Sequence, residues 1–280
     1  MQVDSSRGNL DALLPEVIRI AHEAGEKIMA VYKTDFRITT KPDDSPVTTA
    51  DIAADTHIIN ALKKLSPLYP VLSEEGTILP FDERAKRETY WLIDPLDGTK
   101  EFIKKRDNFT VNIALIHQHK PILGVVYAPA LGDCYYACKN SGSFKQDDTG
   151  KTAQIKTRKL PTTPTFAGSY AHGGDQLRQF LDNVKACFGN YELLTLGSSL
   201  KMCLVAEGKI DLYPRLWLTS EWDTAAAHCI INEAGGKLVK TDMSPLRYNT
   251  KDSLLNPFFF AIGDNDMDWV QFLPKSKKLP

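Results

Sequence analysis

The chain predicts an α/β fold with α+β character, on three observations. Apolar residues recur at helical spacing near the N-terminus, adjacent strands with hairpin-like connections fill the middle, and short strands alternate with helices beyond about residue 155. The 280 residues suffice for one large domain or two smaller ones around a substantial core. An apolar content of 42% and a charged content of 25% are those of an ordinary soluble protein, so pattern carries the argument.

Leu10, Leu13, Leu14, Val17, Ala21, Ala24, Ile28 and Val31 share one face of a long first helix. A second helix runs from about Ala50 to Leu65, with Thr48 and Asp51 in the register of a capping box. Val71 to Ser73 is a short strand ending in Glu74, Glu75 and Gly76, and Tyr90 to Ile93 is an apolar strand. Asn108 to Ile116 places Phe109, Val111, Ile113 and Leu115 on one face of a strand. A His119-Lys120-Pro121 turn leads to the strand Ile122 to Ala128, followed by Asp133 to Lys139, and these short connections favour antiparallel pairing. The polar stretch Asn140 to Thr152 marks the boundary between an N-terminal α+β half (1–150) and a C-terminal α/β half (151–280). In the second half the strands are Thr165 to Ser169, Glu192 to Leu196, Ile210 to Tyr213, Lys237 to Val239 and Phe258 to Ile262. They alternate with helices over Asp175 to Cys187, Ser199 to Ala206 and Asp223 to Ala234, the last closed by Gly235-Gly236.

Composition excludes several function classes. A net charge of −1 without a lysine- or arginine-rich block argues against a nucleic-acid surface, though a small anionic substrate remains compatible. The five cysteines form no Cys-x-x-Cys pair, which argues against zinc and thioredoxin-like chemistry and reads as reduced, mostly buried thiols. Met1 to Asn9 is polar, without the apolar core of a signal peptide, and no apolar run reaches the ~18 residues of a membrane span. A cytoplasmic location is the expectation.

The chemistry is concentrated in Asp94-Pro95-Leu96-Asp97-Gly98-Thr99, where an apolar strand delivers two carboxylates into a turn. Pro95 fixes its own φ and pushes Asp94 away from helical geometry, and Gly98 lets a ligand approach the backbone. Two converging carboxylates repel unless a cation or proton intervenes. Oxygen ligands without histidine or cysteine suit Mg²⁺ better than zinc. Glu74 and Glu75 at a strand end, Asp223 in the first turn of an alanine-rich helix and Asp51 near the start of the second helix are candidate partners. Each also reads as a solvated strand end or as an acid favoured by the helix dipole. Competing chemistries fit badly. Gly168 to Gly174 runs into Asp175 where a phosphate-binding loop needs lysine, and no Gly-x-Ser-x-Gly elbow occurs. His117-Gln118-His119 reads as a strand end, and a glycosidase carboxylate pair would need no such turn.

Asp94-Pro95-Leu96-Asp97-Gly98-Thr99, taken with Trp222-Asp223-Thr224-Ala225-Ala226, resembles the paired motifs of the inositol monophosphatase superfamily. These are lithium-sensitive, magnesium-dependent phosphomonoesterases with a layered αβαβα sandwich of the sugar phosphatase type. The resemblance spans the chain from the Asp51 segment to Gly235-Gly236. Lys100-Glu101-Phe102, Lys41 to Thr48, Gly197 to Lys201 and Leu212 to Arg215 are similar to the 3′(2′),5′-bisphosphate nucleotidase branch. The resemblance implies metal ligation by Glu74, Asp94, the backbone carbonyl of Leu96, Asp97 and Asp223, holding roughly two or three Mg²⁺ ions. Asp51 and Glu75 would act through water on a weaker ion. With Thr99 they would orient and deprotonate a metal-activated water that attacks the 3′-phosphate directly. Gly98 and Thr99 would donate N–H groups to the phosphate beside Glu74, Leu96, Asp97 and Asp223. Ser199, Lys201 and Arg215 would reach the nucleotide's other groups. The implied reaction converts adenosine 3′,5′-bisphosphate to AMP and phosphate, removing a by-product of sulfate assimilation. An inositol or sugar phosphatase is the alternative within that chemistry, and an inactive metal- or nucleotide-sensing homologue the alternative outside it. A small nucleotide is the expected partner, with no nucleic acid and no obligatory membrane, although family relatives can associate with the inner membrane. A homo-oligomer is compatible with the sequence.

Overall fold

Apolar periodicity becomes burial at both ends of the first helix. In α1 (Arg7–Tyr32), Leu10, Leu13, Val17, Ala21, Ala24 and Ile28 are buried, and α2 (Thr49–Leu65) contributes Ala50, Ala54, Ile58 and Leu62 to the same cluster. Thr48 and Asp51 form the expected capping box. The structure is a computed structural model that describes residues 7–40, 46–168 and 174–274, so Lys41 to Ser45 of the motif singled out above lie outside the described residues.

Strands β1 (Ile38–Thr40) and β2 (Pro46–Thr48) form a small antiparallel ribbon. The main sheet has seven strands in sequence order: β3 (Val71–Ser73), β4 (Thr89–Asp97), β5 (Thr110–His117), β6 (Lys120–Ala128), β7 (Asp133–Cys138), β8 (Gly142–Gln146) and β9 (Thr152–Ile155). Only β3–β4 is parallel, as the intervening α3 (Phe81–Arg84) crossover requires. After the short α4 (Thr99–Ile103), a second sheet takes the order β11-β10-β12-β14-β13. Its strands are β10 (Thr165–Gly168), β11 (Glu192–Thr195), β12 (Leu212–Arg215), β13 (Lys237–Lys240) and β14 (Phe259–Ile262). Helices α5 (Gly174–Phe188), α6 (Leu200–Ala206) and α7 (Glu221–Glu233) complete it.

Alternation of side chains explains the layers. Val111, Ile113 and Leu115 of β5 join α1 and α2, whereas Ala114 and Ile116 face a second core built from α6 and α7. In the smaller sheet, Ala167, Tyr213, Leu238 and Phe259 face that same core. Phe166, Leu212, Val239 and Phe260 pack against α5, Trp269 and Phe272. The outcome is the αβαβα sandwich that the sequence resemblance implied, with the central strands of both sheets buried on both faces.

Two local expectations change. Asn140 to Thr152 was expected to part the two halves, yet it carries β8 and leads into β9. The change of sheet falls at 156–164, because polar residues on a sheet edge remain solvated while their backbone pairs. The expected His119-Lys120-Pro121 turn is instead a two-residue hairpin at Gln118 and His119, both at positive φ, with His117 paired to Lys120. Cys134, Cys138, Cys203 and Cys229 are buried, Cys187 is exposed, and all five are free thiols. Among the described residues no helix is long and apolar enough to cross a membrane.

Helix α7 approaches the sheet very closely at Gly124 of β6, where an added Cβ would collide with the carbonyl oxygen of Ala226. Gly124→Ala is therefore expected to destabilise the protein by about 1–3 kcal/mol, lowering its thermal midpoint by about 3–10 °C. An unchanged melting curve would show that the helix can back away freely.

Candidate active site

Strand β4 runs through both carboxylates of the central motif. Asp94 pairs with Asn112 and Asp97 with Thr110, so three steps along β4 match two along β5, which is a β-bulge. In a regular strand residues three apart point to opposite faces. The extra residue sends Leu96 into the α1/α2 core and leaves Asp94 and Asp97 on the α7 side. The expected turn is thus an irregularity inside the strand. Gly98 follows at φ +92°, and a Cβ there would lie 3.2 Å from the Asn108 carbonyl oxygen.

Three elements deliver a carboxylate cluster. Glu74 leaves β3 with its N–H bonded to the Ile93 carbonyl (3.2 Å), Asp94 lies in β4, and Asp223 lies in the first turn of α7. Ligand oxygens of these three lie within 4.8 Å of one another. Asp223 is the third helical residue of a capping box with Ser220, whose N–H donates to Oδ2 at 2.9 Å. Asp94 accepts the Leu96 N–H at 3.0 Å. Burial and then the charges of Glu74, Asp97 and Asp223 push the Asp94 carboxyl well above its usual range. Burial, then Asp97 and Glu74, do the same to Asp223. Only oxygen donors converge here, and their mutual repulsion calls for positive charge, so the set fits a hard divalent cation.

Asp97 stands beside this trio in a cradle of its own. It accepts the Ser199 N–H (2.5 Å) and an Asn112 amide N–H (3.3 Å). Burial raises its carboxyl to about 6, against the pull of the Lys201 ammonium. The Ser199 hydroxyl is engaged with Asn112 Oδ1 (2.7 Å) and Thr110 Oγ1 (2.9 Å). Lys201 is buried, and its ammonium donates to the carbonyls of Leu196 (3.1 Å) and Ser198 (2.7 Å). Burial lowers its pKa to about 8.

Glu74, Asp94, Leu96, Asp97, Gly98, Thr99, Ser199, Lys201, Arg215 and Asp223, all expected from the sequence, line one cleft of about 470 Å³. Asp51 and Glu75 do not line it. Asp51 is 1% exposed, and its Oδ2 holds the Thr48 N–H and hydroxyl while its Oδ1 accepts the Thr99 hydroxyl at 3.2 Å. Burial raises the Asp51 carboxyl despite these bonds. Glu75 donates its N–H to the Ser73 hydroxyl (3.3 Å). The Arg215 guanidinium reaches the carbonyls of Trp217 (3.2 Å) and Leu218 (2.7 Å) and the Tyr213 hydroxyl (3.3 Å).

Sequence reasoning missed Asn112 and Ser220. Asn112 is a lone amide in the otherwise apolar run Val111 to Ile116, a pattern that marks a buried polar partner. Ser220-Glu221-Trp222-Asp223 repeats the Ser/Thr-x-x-acid spacing of Thr48 to Asp51.

A model of the inositol monophosphatase family matches residues 9–263. The chain is 46% identical over 249 residues to the 3′(2′),5′-bisphosphate nucleotidase CysQ of Salmonella typhimurium, covering 88% of this chain and 98% of that protein. It is 38% identical to the protein of the same name from Haemophilus influenzae, covering 92% and 95%. Among solved structures, CysQ from Bacteroides thetaiotaomicron superposes with a TM-score of 0.79 at 37% identity, covering 90% of this chain and 97% of that one. An inositol monophosphatase from Thermotoga maritima gives 0.75 at 25% identity, covering 93% and 96%. With the carboxylate cluster between its two sheets and these relatives along nearly its whole length, the chain belongs to the inositol monophosphatase family.

Proposed function

We propose that this protein is a Mg²⁺-dependent phosphomonoesterase that hydrolyses adenosine 3′,5′-bisphosphate to AMP and phosphate. The observation that carries this reading is one cleft in which Glu74, Asp94 and Asp223 converge while the cations Lys201 and Arg215 stand beside them. Relatives at 38–46% identity that bear the bisphosphate nucleotidase name support the substrate. On this reading the reaction takes place in the cytoplasm and removes a by-product of sulfate assimilation.

Residues 1–150 would supply Glu74, Asp94, the Leu96 carbonyl and Asp97 to the metals, and residues 151–280 would supply Asp223 and the cations. Mg²⁺ bound there supplies Lewis acidity toward phosphate and water oxygens. The Thr99 hydroxyl lies 3.2 Å from both Asp51 Oδ1 and the Leu96 carbonyl oxygen; when it donates to Asp51, its lone pairs can accept a proton from the attacking water while its own proton passes to Asp51 Oδ1. Glu75 is assigned to orienting the same water. Gly98 and Thr99 offer backbone N–H groups to the 3′-phosphate. Ser199, with its hydroxyl engaged on Asn112 and Thr110, holds Asp97 in place. Of the five guanidinium N–H groups of Arg215, those on Trp217, Leu218 and Tyr213 leave a pair, and the Lys201 ammonium keeps one donor. Those donors suit the remote 5′-phosphate.

Hydrolysis of adenosine 3′,5′-bisphosphate and of inositol 1-phosphate in Mg²⁺ tests the assignment directly. The bisphosphate is expected to give a kcat/KM about tenfold higher or more, and a preference for inositol 1-phosphate would overturn the substrate. Asp94→Asn should lower activity by about a hundredfold or more. It should also leave the metal-free protein at least as stable, because one repelling carboxylate is gone. Full activity in that variant would remove Asp94 from the metal site.

The carboxylates also set a pH dependence. Asp94, Asp97 and Asp223 have folded-state pKa values raised above their usual range, with Asp97 at about 6. Their contribution to metal-free stability is therefore fully present below the usual carboxylate range of about pH 4 and is lost as pH rises through their raised values, for Asp97 at about 6. A cation opposes that loss. The rise in thermal midpoint caused by Mg²⁺ should consequently grow between about pH 5 and about pH 7.5. A Mg²⁺ effect that is flat across this interval would place the ion elsewhere.

A further inference from the structure

The cleft has a second chemical character at its mouth. Ile78, Leu218 and Leu255 all line it, yet they remain 48%, 50% and 42% exposed. Large apolar side chains left half in water beside a charged site mark a surface that a ligand covers. Two of them sit on segments that pair with each other. Ser220 and Leu255 are antiparallel bridge partners, and the Asn256 N–H donates to the Thr219 carbonyl at 2.7 Å. The bridge ties the segment that carries Leu218 to the one that carries Leu255, and both side chains line the cleft. Arg215 anchors this arrangement, because its guanidinium binds the carbonyls of Trp217 and Leu218 themselves.

We propose that Ile78, Leu218 and Leu255 form an apolar wall against which the nucleobase of the substrate lies, making them the residues that select nucleotides over cyclitol phosphates. The inference rests on the nucleotide reading given above and assigns the side chains behind it. Carboxylates and cations line the same cleft and match phosphates and their metals, which leaves the neutral part of the substrate to meet the apolar mouth. A nucleobase offers a flat face with no hydrogen-bonding groups and gains by covering aliphatic surface. Inositol carries a hydroxyl on every ring carbon, and each one turned toward Ile78, Leu218 or Leu255 would lose its water without gaining a partner.

Calorimetric binding of AMP and of ribose 5-phosphate, in Mg²⁺, isolates the base. The unaltered protein is expected to bind AMP about tenfold more tightly than ribose 5-phosphate. The double variant Leu218→Ser/Leu255→Ser, and separately Ile78→Ser, should lose most of that difference while binding ribose 5-phosphate within about twofold of the unaltered protein. All three sites are half-exposed, so the melting temperature should be nearly unchanged. Equal affinity for the two ligands in the unaltered protein would overturn the wall. So would a preference for AMP that survives the substitutions, or a parallel loss of both ligands. A double variant that keeps its preference for AMP but changes from dimer to monomer in sedimentation would assign these leucines to contact between copies instead. Turnover separates this proposal from the reading it rests on. Selective AMP binding without hydrolysis of adenosine 3′,5′-bisphosphate would sink the reaction and keep the wall, whereas hydrolysis without selective AMP binding would do the reverse.

Discussion

Carboxylates brought within 4.8 Å of one another, one of them 1% exposed, repel strongly enough that every neighbouring element must either fix them or offset their charge. The surroundings do both. One oxygen of Asp223 is committed to the Ser220 cap, one of Asp94 to the Leu96 N–H, and one of Asp97 to Ser199 and Asn112. Each side chain is thereby held in one orientation while its residue lines the cleft. The buried ammonium of Lys201 offsets part of the charge of Asp97, and the remaining negative charge calls for a cation in the cleft. Repulsion that would be a liability in a core thus becomes affinity for a hard metal.

The layered architecture follows from where those charges must sit. Glu74 and Asp94 leave neighbouring parallel strands, while Asp223 comes from a helix that belongs to the other half of the sequence yet lies on the seven-stranded sheet. Only a helix packed almost in contact with the strands can bring its first turn to the end of β4. Gly124 and the Ala225-Ala226-Ala227 run make that approach possible by removing side-chain bulk between the two. Small residues that touch no ligand therefore help to set the spacing of the carboxylates.

Much of this was legible in the residues. The Thr48–Asp51 capping box was read from its Ser/Thr-x-x-acid spacing, and the alternation in Phe109 to Leu115 gave the face of β5 that packs on α1 and α2. The polar stretch before Thr152 misled because composition reports solvation, whereas strand pairing on an edge depends on the neighbouring strand. Asn112 was passed over for the opposite reason, since a single amide in an apolar strand changes the pattern little while its buried hydrogen bonds matter greatly.

By itself the sequence determined the elements and pointed to the chemistry, because helix and strand periodicity, caps and the Asp94 to Thr99 motif are local properties of consecutive residues. The tertiary structure alone decided how that chemistry is assembled. The bulge that turns Asp94 and Asp97 to one face needs the register with β5. The link from Asp51 to Thr99 spans 48 positions, and that from Ser199 to Asp97 spans 102. Distances of that kind arise only when sheets and helices pack, since the free energy that closes such long loops comes from the apolar cores on either side of the seven-stranded sheet.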